Sequence, residues 1–399
     1  MSEVEPIALA PEWRRHPKSW GHSFHPMCSY MAMFPARIPH YFIQKFTRRG
    51  DVVLDPFCGR GTTPLQACAE GRIGIGVDLN PLAWLLTAAK VDAPDKDDLL
   101  FRLEDLQTDM FYGDIENEPP RIRMLFHDYT LSQLSYLKGA LDRNDPRDRF
   151  LLAALTGILH GATAKDGRSS HFLSISMPNT FSMSPNYIRT FVEEHDLRKV
   201  KTDVFDTLRW KIERLYRHGR PEIRGHAYQA GAQHLVDIPD RHLKRKEVKL
   251  VVSSPPYLKV VRYGLYNWIR LWLLGDDPEQ LDQTLDQHPK LDDYLLFMHR
   301  VGQQLYRVMQ PGGVCALVIG DVKKPRDTIA LNLAGEVWKF LRRRRTKFEL
   351  VGIIEDELPE NTKVTKIWGA DKRGKATLID RVLVLAKGPV EVVREHVAW

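Results

Sequence analysis

Two short stretches of this chain carry residue types that could do chemistry. The first is Ser253-Ser254-Pro255-Pro256-Tyr257. It offers a hydroxyl, carbonyls that no following helix consumes, and an aromatic face. Neither proline has an N–H and each fixes φ, so the backbone is rigid and extended. An ordinary strand-ending turn would use the same prolines. The second stretch is Asp55-Pro56-Phe57-Cys58-Gly59-Arg60-Gly61-Thr62-Thr63. Its glycines permit positive φ and close backbone approach. Thr62 and Thr63 are candidate caps for the helix that follows, with Pro64 in its first turn. Asp78 comes roughly 20 residues after the glycine turn, where a carboxylate can accept both hydroxyls of a ribose. The G-x-G spacing lacks the third glycine of the dinucleotide fingerprint and is not a Walker loop. The pairing of turn and acid nevertheless has the form of a nucleotide-type site at a helix N-terminus.

Both stretches need strands to position them. Asp51–Asp55 and Arg72–Asp78 read as buried strands of a parallel sheet, and so does Val248–Val252. Each chemical stretch then leaves the carboxyl edge of its strand, which is where open α/β sheets bind ligands. Helices are expected over His40–Phe46, Pro64–Glu70, Leu82–Val91, Tyr294–Met309 and Thr328–Arg344. Gln310-Pro311-Gly312-Gly313 is expected to end the fourth of these. Val314–Gly320, Phe348–Ile354 and Arg381–Lys387 complete the strands. Residues 93–225 interrupt the strand–helix alternation. They begin acidic, with Leu99, Leu100, Leu103, Leu106 and Met110 at helical spacing, and turn basic from Lys165 onward. A polar and aromatic loop, Ser169–Tyr187, lies within the basic part and could reach bases or phosphates. The aromatics from Tyr263 to Trp272 suit core packing or the wall of a base pocket, and their spacing favours the core. Arg342–Arg345 reads as favourable charge at a helix C-terminus facing water.

The chain has 399 residues, 43% hydrophobic and 27% charged, as expected of a soluble globular protein of one large or two ordinary domains. No apolar run is long enough for a membrane span, and no secretory signal is visible, so a cytoplasmic location and no membrane partner are expected. Four scattered cysteines, without a C-x-x-C pair, point to a reducing compartment and away from a zinc ribbon. His22 and His25 read as packing histidines of an irregular arm, so no metal is expected. A net charge of +7 suits a polyanionic partner.

Asp55–Thr62, Gly76-Val77-Asp78-Leu79-Asn80-Pro81 and Ser254–Tyr257, in this order, resemble the signatures of S-adenosylmethionine-dependent DNA amino-methyltransferases. Phe34–Pro39 resembles that family's additional cofactor motif, and Ser at the head of the Pro-Pro loop resembles the N4-cytosine subgroup. The resemblance covers roughly residues 20–92 and 226–388. It implies an α/β, Rossmann-like class I methyltransferase fold: a mainly parallel seven-stranded sheet with an antiparallel final hairpin, plus a mainly helical insert. Residues 1–92 would form the arm and cofactor-binding half, 93–225 the candidate target-recognition region, and 226–399 the catalytic half. S-adenosylmethionine would be held by Pro35, Asp55, Pro56, Phe57, Gly59, Gly61, Thr62, Asp78 and Leu79. Ser254, Pro255, Pro256 and Tyr257 would be catalytic. The partner implied is double-stranded DNA, contacted by Arg168, Ser169, Arg189 and Arg262, with a cognate restriction endonuclease as a further partner of such enzymes. Where the family has a Gly-Asp pair touching adenine, this chain has Gly231-Ala232-Gln233, without the acid.

The resemblance implies a reaction on the exocyclic N4 amine of a flipped cytosine. The amine lone pair is delocalised into the ring. Acceptors at Ser254 and Pro255 would favour a pyramidal nitrogen, and Tyr257 would stack on the base. C5-cytosine chemistry needs a thiolate, and no Pro-Cys dipeptide occurs. The alternatives are methylation of adenine N6, methylation of RNA, and a catalytically silent DNA-binding relative.

Overall fold

Short β-branched runs punctuated by glycine and proline build one sheet in the computed structural model. The structure describes residues 6–7, 11–31, 33–111, 115–161, 171–177, 182–195, 197–256, 258, 262–285, 288, 290–322, 330–357, 379–391 and 393. Its strands are β1 (Pro6–Ile7), β2 (Val52–Asp55), β3 (Ile73–Asp78), β4 (His226–Gln229), β5 (Val248–Ser253), β6 (Met309–Gly320), β7 (Glu349–Glu357) and β8 (Ile379–Lys387). Their order is β1-β7-β8-β6-β5-β2-β3-β4. All neighbours are parallel except β8, which runs antiparallel to both β6 and β7. The expected seven strands and closing hairpin are present, with the two-residue β1 added at the edge.

Strand order reverses between β2 and β5, which pair through Leu54 and Val251. Chain leaving β2 turns toward β3 on one side, and chain leaving β5 turns toward β6 on the other. The two loops diverge above this point and leave a crevice between them.

Alternation along the strands divides the core. Val52, Leu54 and Val251 pack with Phe297, Met298 and Val301 of the Leu291–Val308 helix. Val53, Leu250 and Val252 pack with Ile38, Phe42 and Ile43 of the Arg37–Phe46 helix. Successive strand side chains point to opposite faces, so each strand serves both layers. The region 93–225 contains the helices Lys96–Thr108, Asp128–Ala140, Pro146–Thr156, Pro185–Glu194 and Val204–Leu215, among shorter ones. Leu99, Leu134, Phe150 and Leu208 share one core with Leu82, Leu86 and Leu271; the Pro146–Thr156 helix packs on the Pro81–Val91 helix, and the Lys96–Thr108 and Val204–Leu215 helices pack on Pro146–Thr156 in turn.

Three local expectations are corrected. β4 was not anticipated, because His226-Ala227-Tyr228-Gln229 has no apolar alternation, as befits a strand at the sheet edge. The Leu291–Val308 helix stops without the Pro-Gly-Gly segment, which instead lies within β6. Pairing between β5 and β6 shifts register there and Gly312 has φ +74°, the kind of irregularity at which a strand accepts proline. Thr62 and Thr63 do not cap their helix; Gly61 occupies that position at φ +78°. Among the described residues, no helix is long and apolar enough to cross a membrane.

Candidate active site

The turn after β2 is built by backbone donors and two acids, of which Asp55 is buried and Asp78 is not. Asp55 is buried, and its Oδ1 accepts the Phe57 N–H at 3.1 Å and the Ser253 hydroxyl at 2.5 Å. Burial raises the Asp55 carboxyl to about 7, although these two bonds oppose the rise. Asp78 takes the Gly59 N–H on Oδ2 and the Asn80 N–H on Oδ1, each at 2.9 Å. Gly59 has φ +50°, and a side chain at Gly61 would meet Thr87 at 2.7 Å. Both positions therefore require glycine for the turn to close. The Thr63 hydroxyl, free of the capping role, donates to the Val252 carbonyl at 3.0 Å and ties the helix to β5. Lys90 supports the turn from behind, donating to the Arg60 carbonyl at 2.6 Å from a buried position.

These loops form one cleft with the amino-terminal arm. Its lining includes Pro56, Phe57, Gly59, Thr62, Asp78, Leu79, Ser254, Pro255 and Pro256, all named from the sequence. Asp55 and Gly61 hold the turn without lining the cleft, and Pro35 adjoins Phe34, which does line it. Tyr257, Arg168 and Ser169 lie outside the described residues. Arg189 and Arg262 are exposed and do not line the cleft, and Arg262 pairs with Asp282 at 3.5 Å.

Sequence reasoning missed several walls of the cleft. Tyr30, Met31 and Met33 come from the arm read as irregular, and no local period announces them. Tyr30 accepts the Asn80 side-chain amide at 2.9 Å and stacks on Tyr263, with centroids 6.1 Å apart. Tyr263 thus takes the pocket-wall role that its spacing disfavoured, whereas Trp268 and Trp272 are core. Ala230 and Ala232 line the cleft where the acid of the Gly-Asp pair is missing.

The electrostatics limit what chemistry the cleft can perform. Cys58 lines it, but burial pushes the thiol well above its ordinary range, so a thiolate nucleophile is disfavoured. His25 is buried and bonded to Gln66 at 2.9 Å, as a packing residue would be. Among the described residues, no three His, Cys, Asp or Glu side chains are grouped to hold a metal. What remains is a carboxylate beside a glycine turn, apolar walls from Phe57 and Leu79, and acceptors at Ser254 and Pro255. This donor set fits a nucleoside cofactor on one side and an N–H-bearing substrate on the other.

Residues 10–86 match a family model described as DNA methylase, of the N6/N4 methyltransferases. The type II methyltransferase M.MjaII of Methanocaldococcus jannaschii is 34% identical over 74 residues, 18% of this chain and 13% of that protein. The type II methyltransferase M.BsoBI of Geobacillus stearothermophilus is 29% identical over 128 residues, 32% of this chain and 23% of that protein. The chain thus spans less than a quarter of the length of each of these relatives. Among solved structures, TrmN from Thermus thermophilus aligns over 91% of this chain and 52% of its own, at 13% identity and a TM-score of 0.33. The segment 10–86, which supplies the arm, the glycine turn and Asp78, is therefore similar to a DNA methylase of the N6/N4 kind, and S-adenosylmethionine is the cofactor expected in its cleft.

Proposed function

We propose that this protein is a DNA methyltransferase that transfers a methyl group from S-adenosylmethionine to the exocyclic N4 amine of a flipped cytosine. The observation that carries this reading is the meeting of Ser254 and Pro255 with Gly59, Asp78 and Tyr30 in one cleft. Bound S-adenosylmethionine supplies an electrophilic sulfonium methyl. Asp78 and the Gly59 turn bind its nucleoside end, with Phe57 and Leu79 as apolar walls. The Ser254 hydroxyl and the Pro255 carbonyl accept the amine N–H bonds. That geometry turns the nitrogen lone pair out of conjugation and aims it, so positioning supplies most of the effect. The new N–C bond forms as the S–C bond breaks, and the amine releases one proton. Residues 93–225 serve target recognition, with double-stranded DNA as partner.

The matched family model includes adenine N6 enzymes, so that target is the second reading. Incubation with DNA, then RNA, and labelled cofactor, followed by nucleoside mass spectrometry, tests both. N4-methylcytosine in DNA is expected. N6-methyladenine alone would transfer the assignment to the second reading, and no methylated base on either polymer would sink both.

A further inference from the structure

A second concave surface opens beside the cleft, between the arm and the Val204–Leu215 helix. Met33 and Arg60 line both, so the two adjoin at these residues. Among the described residues its charged side chains are Arg60, Lys211, Arg214 and Arg217, and no carboxylate lines it. None of the four forms an ion pair with a described residue. The acids nearby are spent elsewhere: Glu213 pairs with Lys96, and Glu104 with Arg209. Arg60 Nε is buried with no hydrogen-bond partner among the described residues. Burial also brings the Lys211 ammonium down to about 8, so an anion placed beside it would favour its charge. An aromatic platform completes the wall, with His171 stacked on Trp210 at 3.6 Å and Arg214 over the Trp210 ring. Cations interleaved with stacking rings are the means by which proteins hold a nucleic-acid strand whose bases are unstacked.

We propose that this groove holds the sugar–phosphate backbone of the DNA strand beside the target base, with the His171–Trp210 pair as a stacking surface. The choice of DNA as ligand rests on the methyltransferase reading above. The geometry assigns phosphate contact to residues distinct from Arg168, Ser169, Arg189 and Arg262. Arg60, at the junction, would follow the strand from the groove toward the cleft.

The test uses the full chain and a fluorescent DNA duplex, with anisotropy measured across a series of salt concentrations. The variants are Lys211→Ala/Arg214→Ala and Arg217→Ala. Arg342→Ala/Arg343→Ala is the control, since it removes two exposed cations outside the groove. Cofactor affinity is measured calorimetrically on each. The double groove variant should bind DNA about 10-fold more weakly, with a salt slope smaller by about two, and Arg217→Ala should lower the slope by about one. The control should keep the wild-type slope, and cofactor affinity should be unchanged throughout. Wild-type DNA binding in groove variants that still bind cofactor overturns the proposal. So does an equal loss in the control, which would reduce the effect to net charge. If the double variant loses cofactor binding, Arg217→Ala alone decides. Tighter, groove-dependent binding of RNA overturns the choice of DNA. Methylation by the wild type with indifferent groove variants overturns only the groove. Groove-dependent DNA binding without methyl transfer overturns only the enzyme reading.

Discussion

The loop after β2 and the loop after β5 leave neighbouring strands at one sheet edge, yet they are held by opposite means. The first is fastened through its N–H groups: Gly59 donates to Asp78, and Phe57 donates to Asp55. The second has no N–H at Pro255 or Pro256, so its rigidity is covalent and its carbonyls remain acceptors. Donor-rich backbone held by acids suits a cofactor with hydroxyls and a nucleoside. Acceptor-rich backbone suits a substrate that presents N–H groups. Asp55 touches both loops, through Phe57 on one side and the Ser253 hydroxyl on the other.

This contrast can be broken one side at a time. Ser254→Ala removes the proposed substrate acceptor and leaves the proposed cofactor turn intact. We expect kcat to fall by about 10²–10³-fold while the cofactor Kd stays within about twofold. A raised Kd at unchanged kcat would reverse the division of labour between the loops. Asp78→Ala attacks the other side. It strands two backbone donors, with charge-assisted bonds of about 1.5–3 kcal/mol each. Cofactor affinity should fall about 100-fold by calorimetry, with kcat at saturating cofactor much less affected.

The smallest effect concerns the link between the loops. Burial raises the folded-state Asp55 carboxyl from 3.8 to about 7. Between these values the folded protein binds more protons than the unfolded chain. The stability that the protonated carboxyl contributes is present below about pH 4 and is lost as pH rises through about 7. Asn keeps the acceptor oxygen and carries no charge. Asp55→Asn should therefore raise the Tm by a few degrees above pH 7, with the advantage shrinking toward pH 4 in thermal melts. A constant offset at every pH would assign the change to packing.

Much of the site was legible because its signals are local. A strand, a G-x-G turn and an acid lie within 24 residues, Asp55 to Asp78, and each imposes a backbone requirement visible in residue type. Tyr30 and Tyr263 were not legible as a pair. They lie on opposite sides of the insert, and an aromatic residue looks the same in a core as in a pocket wall. The capping threonines misled for a related reason. A hydroxyl in the first turn can serve its own helix or a neighbouring strand, and Thr63 serves Val252. The basic part of the insert was legible only as a candidate target-recognition region, because charge in sequence does not reveal that Lys211 and Arg214 face the arm.

The sequence by itself determined the parallel strand–turn–helix units, the glycines at Gly59 and Gly61, and the rigid acceptor loop at Pro255 and Pro256. These follow from steric and hydrogen-bonding limits that act within a few residues. Only the tertiary structure decided that the two loops flank one switch point, that the arm closes the cleft with Tyr30, and that the insert turns a cationic groove toward Arg60. Those facts depend on which distant surfaces bury one another. That choice is made by the summed packing of the whole core, which no single segment encodes.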